Sequence, residues 1–331
     1  LSSRRQRQMC IRDRSRIGPV LTFEDEAVRK GPPVTAMLVQ NTNPAAVAPD
    51  TKRVLKGLKR DDLFLCVHEQ FLTETAQLAD IILPATMFLE HDDIYQAGGH
   101  MHLQIHRAVI EAPEQTRSNH WVINELAKRL GAQHPGFGMT EWELIDKTLL
   151  DSGWPSADAL LEKKWHDVQP SFADSHFLNG FPTSTGRFQF SADWSKLGPL
   201  GSKLPNYPDH CDNIDSATAE KPFRLITSPA RNYLNTSFTE TPTSKRKEVR
   251  PTVKIHPDAA SQLCLEDGDK VRLGNEQGSV VLNVSIFSGL QTNVVVVESV
   301  WPNSAFEEGV GINLSLIQIS EPTRRRCIAS A

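Results

Sequence analysis

The sequence predicts an α/β domain built on a parallel sheet, followed by a small β-barrel. Two observations predict this: buried apolar runs alternating with short helical segments in the first third, and closely spaced β-rich runs after Phe223. The stretch TETAQLADIILPATMFLE, Thr73 to Glu90, illustrates the first. Its apolar run Ile81-Ile82-Leu83 is stopped by Pro84 and preceded by a lone acid, Asp80. A run of this length bounded by proline reads as a strand buried on both faces, and such strands belong to parallel sheets. Parallel sheets bind ligands beyond the carboxyl ends of their strands, so the strand ends are where a site is expected.

The elements follow in order. VTAMLVQNTNP reads as a strand running into a polar loop, DTKRVLKGLKR as a short helix and DLFLCVHE as a second buried strand. TETAQLA reads as a helical turn and DIILPA as the third strand; alternation with such short links argues for a parallel α/β sheet. In RSNHWVINELAKRLGA, Ser118 or Asn119 can cap a helix, Val122, Leu126 and Leu130 share a face, and Gly131 closes it. Residues 132–220 are rich in Pro and Gly, with one helical stretch at TEWELIDKTLL, and read as a connector or lid. Beyond Phe223, the runs FRLITSP, TVKIHP, DKVRLGN, GSVVLNVSI and TNVVVVESV are separated by turn signals, with the short helix PDAASQL between two of them. Val280, Leu282, Val284 and Ile286 alternate with Val281, Asn283 and Ser285, which suits one buried face, and strands at this spacing indicate a barrel.

Composition narrows the functional classes. The 331 residues are 39% hydrophobic and 23% charged, enough for about two domains. No apolar run approaches the roughly 20 residues that span a bilayer, and no apolar segment follows the Arg-rich start as in a secretory signal. Cys10, Cys66, Cys211, Cys264 and Cys327 are widely spaced without a CxxC pair, which argues against a disulfide framework or zinc site and tilts the expected location to the cytoplasm. The first 16 residues carry six Arg against one Asp, and residues 315–331 three Arg against one Glu. Both ends read like translated sequencing-adapter DNA, so residues 1–16 and 315–331 are expected to be artefactual tails on a fragment. The expected domains are therefore residues 17–131 (α/β, partial), 132–220 (connector) and 221–314 (barrel).

Six motifs in this order resemble a known family. NTNPAAVAPD, VHEQFLTETAQLADIILPATMFLEHDD and RSNHWVINELAKRLGA are similar to the third domain of the molybdopterin-guanine-dinucleotide oxidoreductases, the dimethyl sulfoxide reductase superfamily. LITSPARNYLNTSF, KIHPDAASQLCLEDGDKVRLGNEQG and WPNSAFEEGVGIN are similar to their carboxyl-terminal dinucleotide-binding domain, which implies a double-psi-like barrel. The resemblance implies a bis-molybdopterin guanine dinucleotide cofactor carrying molybdenum or tungsten, two-electron redox at the metal, and a small-molecule redox substrate. It also implies an electron-transfer subunit or carrier as partner. It implies no nucleic-acid partner and no transmembrane segment. The metal's protein ligand, and the cysteines of any [4Fe–4S] cluster, belong to the family's amino-terminal half, so no catalytic and no metal-ligating residue is assigned here.

Carried over position by position, the resemblance places Asn43 in the cofactor-contacting Asn-Pro loop, which is also a common turn by itself. His68 and Glu69 end the second strand, where relatives have a small or polar residue and then Asp; the longer Glu69 departs from that pattern. His91 stands where relatives place a basic side chain. Asn119 stands where they commonly carry Asp for guanine, and it can equally serve as a helix cap. Thr227, Ser228, Pro229, Ala230, Arg231, Asn232, Asn235 and Thr236 match a loop that wraps pterin and phosphates, with Arg231 either the cation for a phosphate or a surface charge. Phe306 and Asn313 fall in the final pterin-touching loop. Asp80 and Glu90 are expected to fix local structure. His100, His102 and His106 share one side of a strand, a spacing able to bind metal, but nothing local completes a site and a polar half-exposed strand is the expectation. Two other readings stay open: a scaffold subunit of a respiratory complex of the same ancestry that has lost its cofactor, and a stand-alone nucleotide-binding module.

Overall fold

The computed structural model describes residues 16–24, 31–191, 193–194, 205–207, 219, 221–275, 278–314 and 328–330. Most of both basic ends and most of residues 195–220, including nearly all of the GPLGSKLPNYPDH run, lie outside the described residues. The chain divides into two compact units, one of residues 1–83 with 212–331 and one of residues 84–211. The sequence reading grouped residues 17–131 together instead. Its proposed α/β segment is shared between the units because residues 84–211 carry a hydrophobic core of their own.

In the first unit, strands β1 (Ala36–Gln40) and β2 (Phe64–Glu69) pair in parallel, with Leu38 opposite Cys66 and Gln40 opposite His68. Strand β3 (Ile81–Pro84) completes a three-stranded sheet in the order β1-β2-β3. Helix α1 (residues 16–21), α2 (Pro44–Val47) and α3 (Thr51–Leu58) cover one face. Leu21, Val54 and Leu58 pack there against Val39, Leu65 and Val67. Gly57 permits the helices to meet: a Cβ at this position would come within 2.5 Å of the Leu21 Cβ.

The expectation that β3 is buried on both faces is overturned, since Ile81 and Ile82 are 45% and 44% exposed. The strand lies at the edge of the sheet, and an edge strand has a neighbour on one side only. Asp80 holds it in place by accepting a hydrogen bond from the Leu65 N–H at 2.7 Å, and its own N–H donates to the Leu65 carbonyl at 2.8 Å.

Also in this unit, β7 (Arg224–Pro229), β8 (Thr252–Ile255), β9 (Lys270–Asn275), β10 (Gly278–Ile286), β11 (Val294–Ser299) and β12 (Ile328–Ser330) form a curled sheet in the order β12-β9-β10-β8-β11-β7. Pairs β7–β11 and β8–β10 are parallel, while β8–β11 and β9–β10 are antiparallel. The β10 alternation holds: Val280, Leu282 and Val284 are buried with Val253, Val271, Val295 and Val297, and only the terminal Ile286 is exposed. Tyr233 and Trp301 close the core edge to face, with ring centroids 5.1 Å apart.

The second unit has its own scaffold. Strands β4 (Asp93–Gln96), β5 (His102–His106) and β6 (His166–Asp167) form an antiparallel sheet. Helices α4 (Asn119–Arg129), α5 (Glu141–Asp151) and α6 (Ala157–Lys163) accompany it. Leu103, Ile105, Ile145, Leu149, Ala157 and Leu160 form a core into which α5, the helix expected at TEWELIDKTLL, and α6 pack. The sequence signal for α5 is a complete capping box between Thr140 and Glu143, and Ser156 caps α6. In α4, Val122 and Ala127 are the buried residues, whereas Leu126 and Leu130 are 42% and 73% exposed. Of the apolar face read from the spacing only Val122 is buried, while Ser118 caps the helix and Gly131 follows it with φ +64°, both as expected.

Candidate functional site

The loop after β1 turns sharply at Asn41, which takes a left-handed φ of 49° while its N–H donates to the His68 carbonyl at 3.1 Å. Asn43 opens α2 with Pro44 at the first helical position, and its side chain is fully engaged. Its Nδ2 donates to Glu74 Oε2 at 2.7 Å, and its Oδ1 accepts from the Thr75 N–H at 3.2 Å and the Thr75 hydroxyl at 2.7 Å. Thr75 Oγ1 in turn accepts from the Ala45 N–H at 3.0 Å, satisfying an amide that a capping side chain would normally serve. Asn43 is 3% exposed, and this buried network fixes the path of the loop.

The same network reaches the curled sheet. Glu74 Oε1 accepts from the Asn303 N–H at 2.9 Å, so one carboxylate grips both segments. Asn303 Nδ2 donates to the Ala45 carbonyl at 3.0 Å, and its Oδ1 accepts from the Gly311 N–H at 2.9 Å. Asn313 Nδ2 donates to the Ala46 carbonyl at 2.9 Å, and the Asn313 carbonyl accepts from the Thr51 hydroxyl at 2.8 Å. Buried amide side chains bonded on both ends specify a single relative placement of the two sheets.

Beside this seam lies a cavity of about 420 Å³. Asn41, Thr42, Asn235, Thr236, Ser237 and Asn313 give it polar walls, and Val47, Pro49 and Val300 complete the lining. Asn235 and Thr236 form the tip of a tight turn, in which Leu234 and Ser237 exchange backbone hydrogen bonds and Asn235 has φ 52°. No charged side chain lines the cavity among the described residues. Amides and hydroxyls both donate and accept, so these walls suit a ligand presenting mixed hydrogen-bonding edges, such as a fused heterocycle with a polar tail.

Of the residues predicted from sequence, Asn235, Thr236 and Asn313 line this cavity, and Asn43 holds the loop that forms its opposite wall. Thr227 and Ser228 are half-buried in β7, opposite Val297 and Glu298, and Pro229 ends that strand. Ala230 and Phe306 are core residues. Asn232 is tied to Glu248, whose Oε1 accepts from its N–H at 2.5 Å and its Nδ2 at 2.7 Å. Arg231 is exposed and is not part of the lining. The sequence reading missed Asn41, Thr42, Glu74, Thr75, Ser237 and Asn303. The Thr-Glu-Thr triplet preceding a short 3-10 turn (Ala76–Leu78) was the available signal for two of them.

At the end of β2, His68 is fully buried and its Nδ1 lies 3.1 Å from Gln40 Nε2. Burial pushes the neighbouring Glu69 carboxyl above its ordinary range, offset in part by the hydrogen bond from the Gln70 N–H and by His68. A carboxyl raised on folding holds its proton longer in the folded than in the unfolded chain. Stability therefore falls as pH rises from the ordinary carboxylate value through the raised one, and the penalty is fully present above it. Glu69→Gln is accordingly expected to raise the melting temperature at pH 7, with the gain vanishing below about pH 4. Thermal melts of both proteins across that range check this; a gain that persists at low pH would contradict it.

In the second unit, His91 Nδ1 lies 2.8 Å from the Thr86 hydroxyl and its Nε2 3.7 Å from Asp93 Oδ2. It lines a separate cavity of about 600 Å³ with Arg107, Arg117, His120, Trp121 and Trp142. Arg107 stacks on Trp142 at 3.5 Å while bonding Asp92 at 2.9 Å, and Arg117 lies over Trp121 at 5.3 Å. Ser118 caps α4 and also bonds Glu141, and Asn119 is exposed at the first helical position. Glu90 fixes local structure as expected, accepting from the Met87 N–H at 2.8 Å. Along β5 the histidines alternate with buried Leu103 and Ile105: His102 packs on Trp165, and His106 stacks on Tyr95, whose hydroxyl lies 2.8 Å from His106 Nε2.

The family description "Molybdopterin oxidoreductase" matches residues 21–129, and "Molydopterin dinucleotide binding domain" matches residues 223–325. The chain belongs to the molybdopterin oxidoreductase family, with the two matched segments in this order along the sequence. Among curated relatives it is 31% identical over 277 residues to "Probable oxidoreductase YoaE" of Bacillus subtilis, covering 82% of this chain and 39% of the relative. It is 24% identical over 300 residues to the trimethylamine-N-oxide reductase of Haemophilus influenzae, covering 82% and 36%. Among solved structures, acetylene hydratase from Pelobacter acetylenicus superposes with a TM-score of 0.72 at 20% identity, covering 89% of this chain and 42% of that one. The chain thus spans about two fifths of the length of the relatives it matches.

Proposed function

We propose that this chain grips the dinucleotide part of a bis-molybdopterin guanine dinucleotide cofactor within a molybdenum, or tungsten, oxidoreductase. The observation that carries the reading is the polar, uncharged cavity where the loop after β1 meets the 234–237 turn and Asn313. Its residues fit a pterin with a polar tail: amides and hydroxyls for the heterocycle's edges, two chain turns of left-handed conformation that bring backbone close, and a buried network that holds both walls rigid. Asn41, Thr42, Asn235, Thr236 and Asn313 would hold the cofactor. The family pattern adds Arg231, Glu69, His91 and Asn119 as further cofactor contacts. The parallel pairs β7–β11 and β8–β10 flanking the antiparallel β8–β11 pair support reading the curled sheet as a double-psi-like barrel.

When bound, the cofactor supplies two-electron redox at its metal, and the protein supplies placement and exclusion of water. On this reading the chain contributes no catalytic residue, residues 17–314 alone turn over no substrate, and the whole protein acts on a small molecule with an electron-transfer subunit or carrier. The chain is similar in sequence to a trimethylamine-N-oxide reductase and in fold to an acetylene hydratase, so the fold does not set the substrate. The test is analysis of the purified full-length product: guanosine monophosphate released by acid in proportion to bound molybdenum or tungsten is expected. A folded protein that holds neither pterin nor metal, even after reconstitution, would favour the cofactor-free scaffold.

A further inference from the structure

Asn232 sits in the 227–236 stretch that the family resemblance assigns to pterin and phosphates, yet its donors are engaged within the chain. One oxygen of Glu248, Oε1, accepts from the Asn232 N–H at 2.5 Å and from its Nδ2 at 2.7 Å. A backbone N–H and a side-chain amide converging on one anionic oxygen is also how loops hold a phosphate. Local rules are broken on the Glu248 side of this contact. Glu248 is the last residue of the helix Pro242–Glu248, where unpaired carbonyls disfavour a carboxylate and favour a cation. Val249 follows with φ 65° and ψ −68°, and the Arg250 N–H donates to the Glu248 carbonyl at 2.8 Å. These values define a γ-turn of the rare, strained hand, centred on a β-branched residue. The turn that aims Glu248 at Asn232 is therefore a strained one.

We propose that Glu248 is a built-in competitor for a phosphate oxygen of the ligand. It holds the two Asn232 donors in the empty protein, the ligand's phosphate takes them on binding, and Val249 then leaves the γ-turn. The proposal rests on the dinucleotide reading above and adds to it a residue that works against binding. No covalent bond changes in the exchange; one oxyanion replaces another on the same donors. The closed population lowers the apparent affinity in proportion to its weight. Removing the carboxylate therefore tightens binding. Glycine adopts positive φ without strain, so Val249→Gly stabilises the closed form and weakens binding. A contact that served stability alone would leave the affinity of the folded protein unchanged in both variants.

The test is calorimetric titration of the full-length protein, freed of cofactor, with guanosine diphosphate as the probe. Glu248→Ala is expected to bind it about fivefold or more tightly than wild type, and Val249→Gly more weakly by a similar factor. Hydrogen exchange gives a second readout: on loading the wild type, peptides containing Arg250 lose protection while the 234–237 turn gains it. If Glu248→Ala does not accumulate folded, Glu248→Gln is titrated instead; it keeps the length without the charge, and a smaller gain in the same direction is expected. Affinity that is unchanged or weaker without the carboxylate overturns the competitor and leaves the dinucleotide reading standing. Val249→Gly that binds as well as wild type overturns the part given to the strained turn. A probe that binds neither wild type nor variants overturns the competitor and the dinucleotide reading together.

Discussion

Asn303→Ala is expected to destabilise the first unit by about 2–6 kcal/mol, because two buried backbone groups lose their partners at about 1–3 kcal/mol each. The Ala45 carbonyl loses the Asn303 amide at 3.0 Å, and the Gly311 N–H loses the Asn303 carbonyl oxygen at 2.9 Å. Neither group can be repaired by a small shift. Gly311 approaches so closely that a Cβ there would sit 2.9 Å from Asn303 Oδ1 and 3.4 Å from the Phe306 ring. Asn303→Asp keeps the acceptor for Gly311 but turns an oxygen toward the Ala45 carbonyl. Its carboxyl is expected to be held protonated above the ordinary range by that burial, so the variant should recover stability on acidification, as the sign for a raised carboxyl requires. Urea denaturation of wild type and both variants at pH 7 and pH 5 decides the matter. Equal midpoints for all three would show that the seam contributes nothing.

Glu74→Ala is the second large effect, expected at about 2–4 kcal/mol, since it removes the acceptor of two donors at once. Asn43 Nδ2 and the Asn303 N–H both converge on this carboxylate, at 2.7 and 2.9 Å. The loss should loosen the loop after β1 and the segment after Val300 together, because the one carboxylate bonds Asn43 and the Asn303 N–H at once. A double-mutant cycle with Asn43→Ala is expected to return a coupling of about 1–2 kcal/mol, as befits residues in direct contact. Coupling near zero would mean that Asn43 finds an alternative partner and that Glu74 serves only Asn303.

The sequence carried the strands and their order well, because β-branched runs bounded by turn residues are a local signal. Val280, Leu282 and Val284 alternate as their pattern requires, and the strand from Ala36 to Gln40 enters a polar loop at Asn41 as read. Exposure was less legible. Ile81-Ile82-Leu83 has the composition of a doubly buried strand, yet its position at the sheet edge depends on which strand pairs with which, and no local pattern records that. The helix from Asn119 shows the same limit: the three-four spacing of Val122, Leu126 and Leu130 is real, but the packing partner selects Val122 and Ala127.

The candidate site was half legible for a related reason. Asn235, Thr236 and Asn313 could be placed by family resemblance, because they lie in loops whose neighbouring motifs are distinctive. Glu74, Thr75 and Asn303 are polar residues in unremarkable local contexts, and their importance comes from contacts across 229 residues of sequence between Glu74 and Asn303. Asn232, by contrast, lies in a distinctive motif but is taken up by Glu248. Asn43 likewise faces inward, so its contribution to a bound cofactor would run through the wall it supports.

Hydrogen exchange on the full-length protein with and without its cofactor tests the central claim most directly. If the cavity between the two sheets holds the dinucleotide, peptides containing Asn41 and Thr42, the 234–237 turn and Asn313 gain protection together on loading, while the α5–α6 pair does not change. Loading that leaves all three segments exchanging as in the empty protein would contradict it.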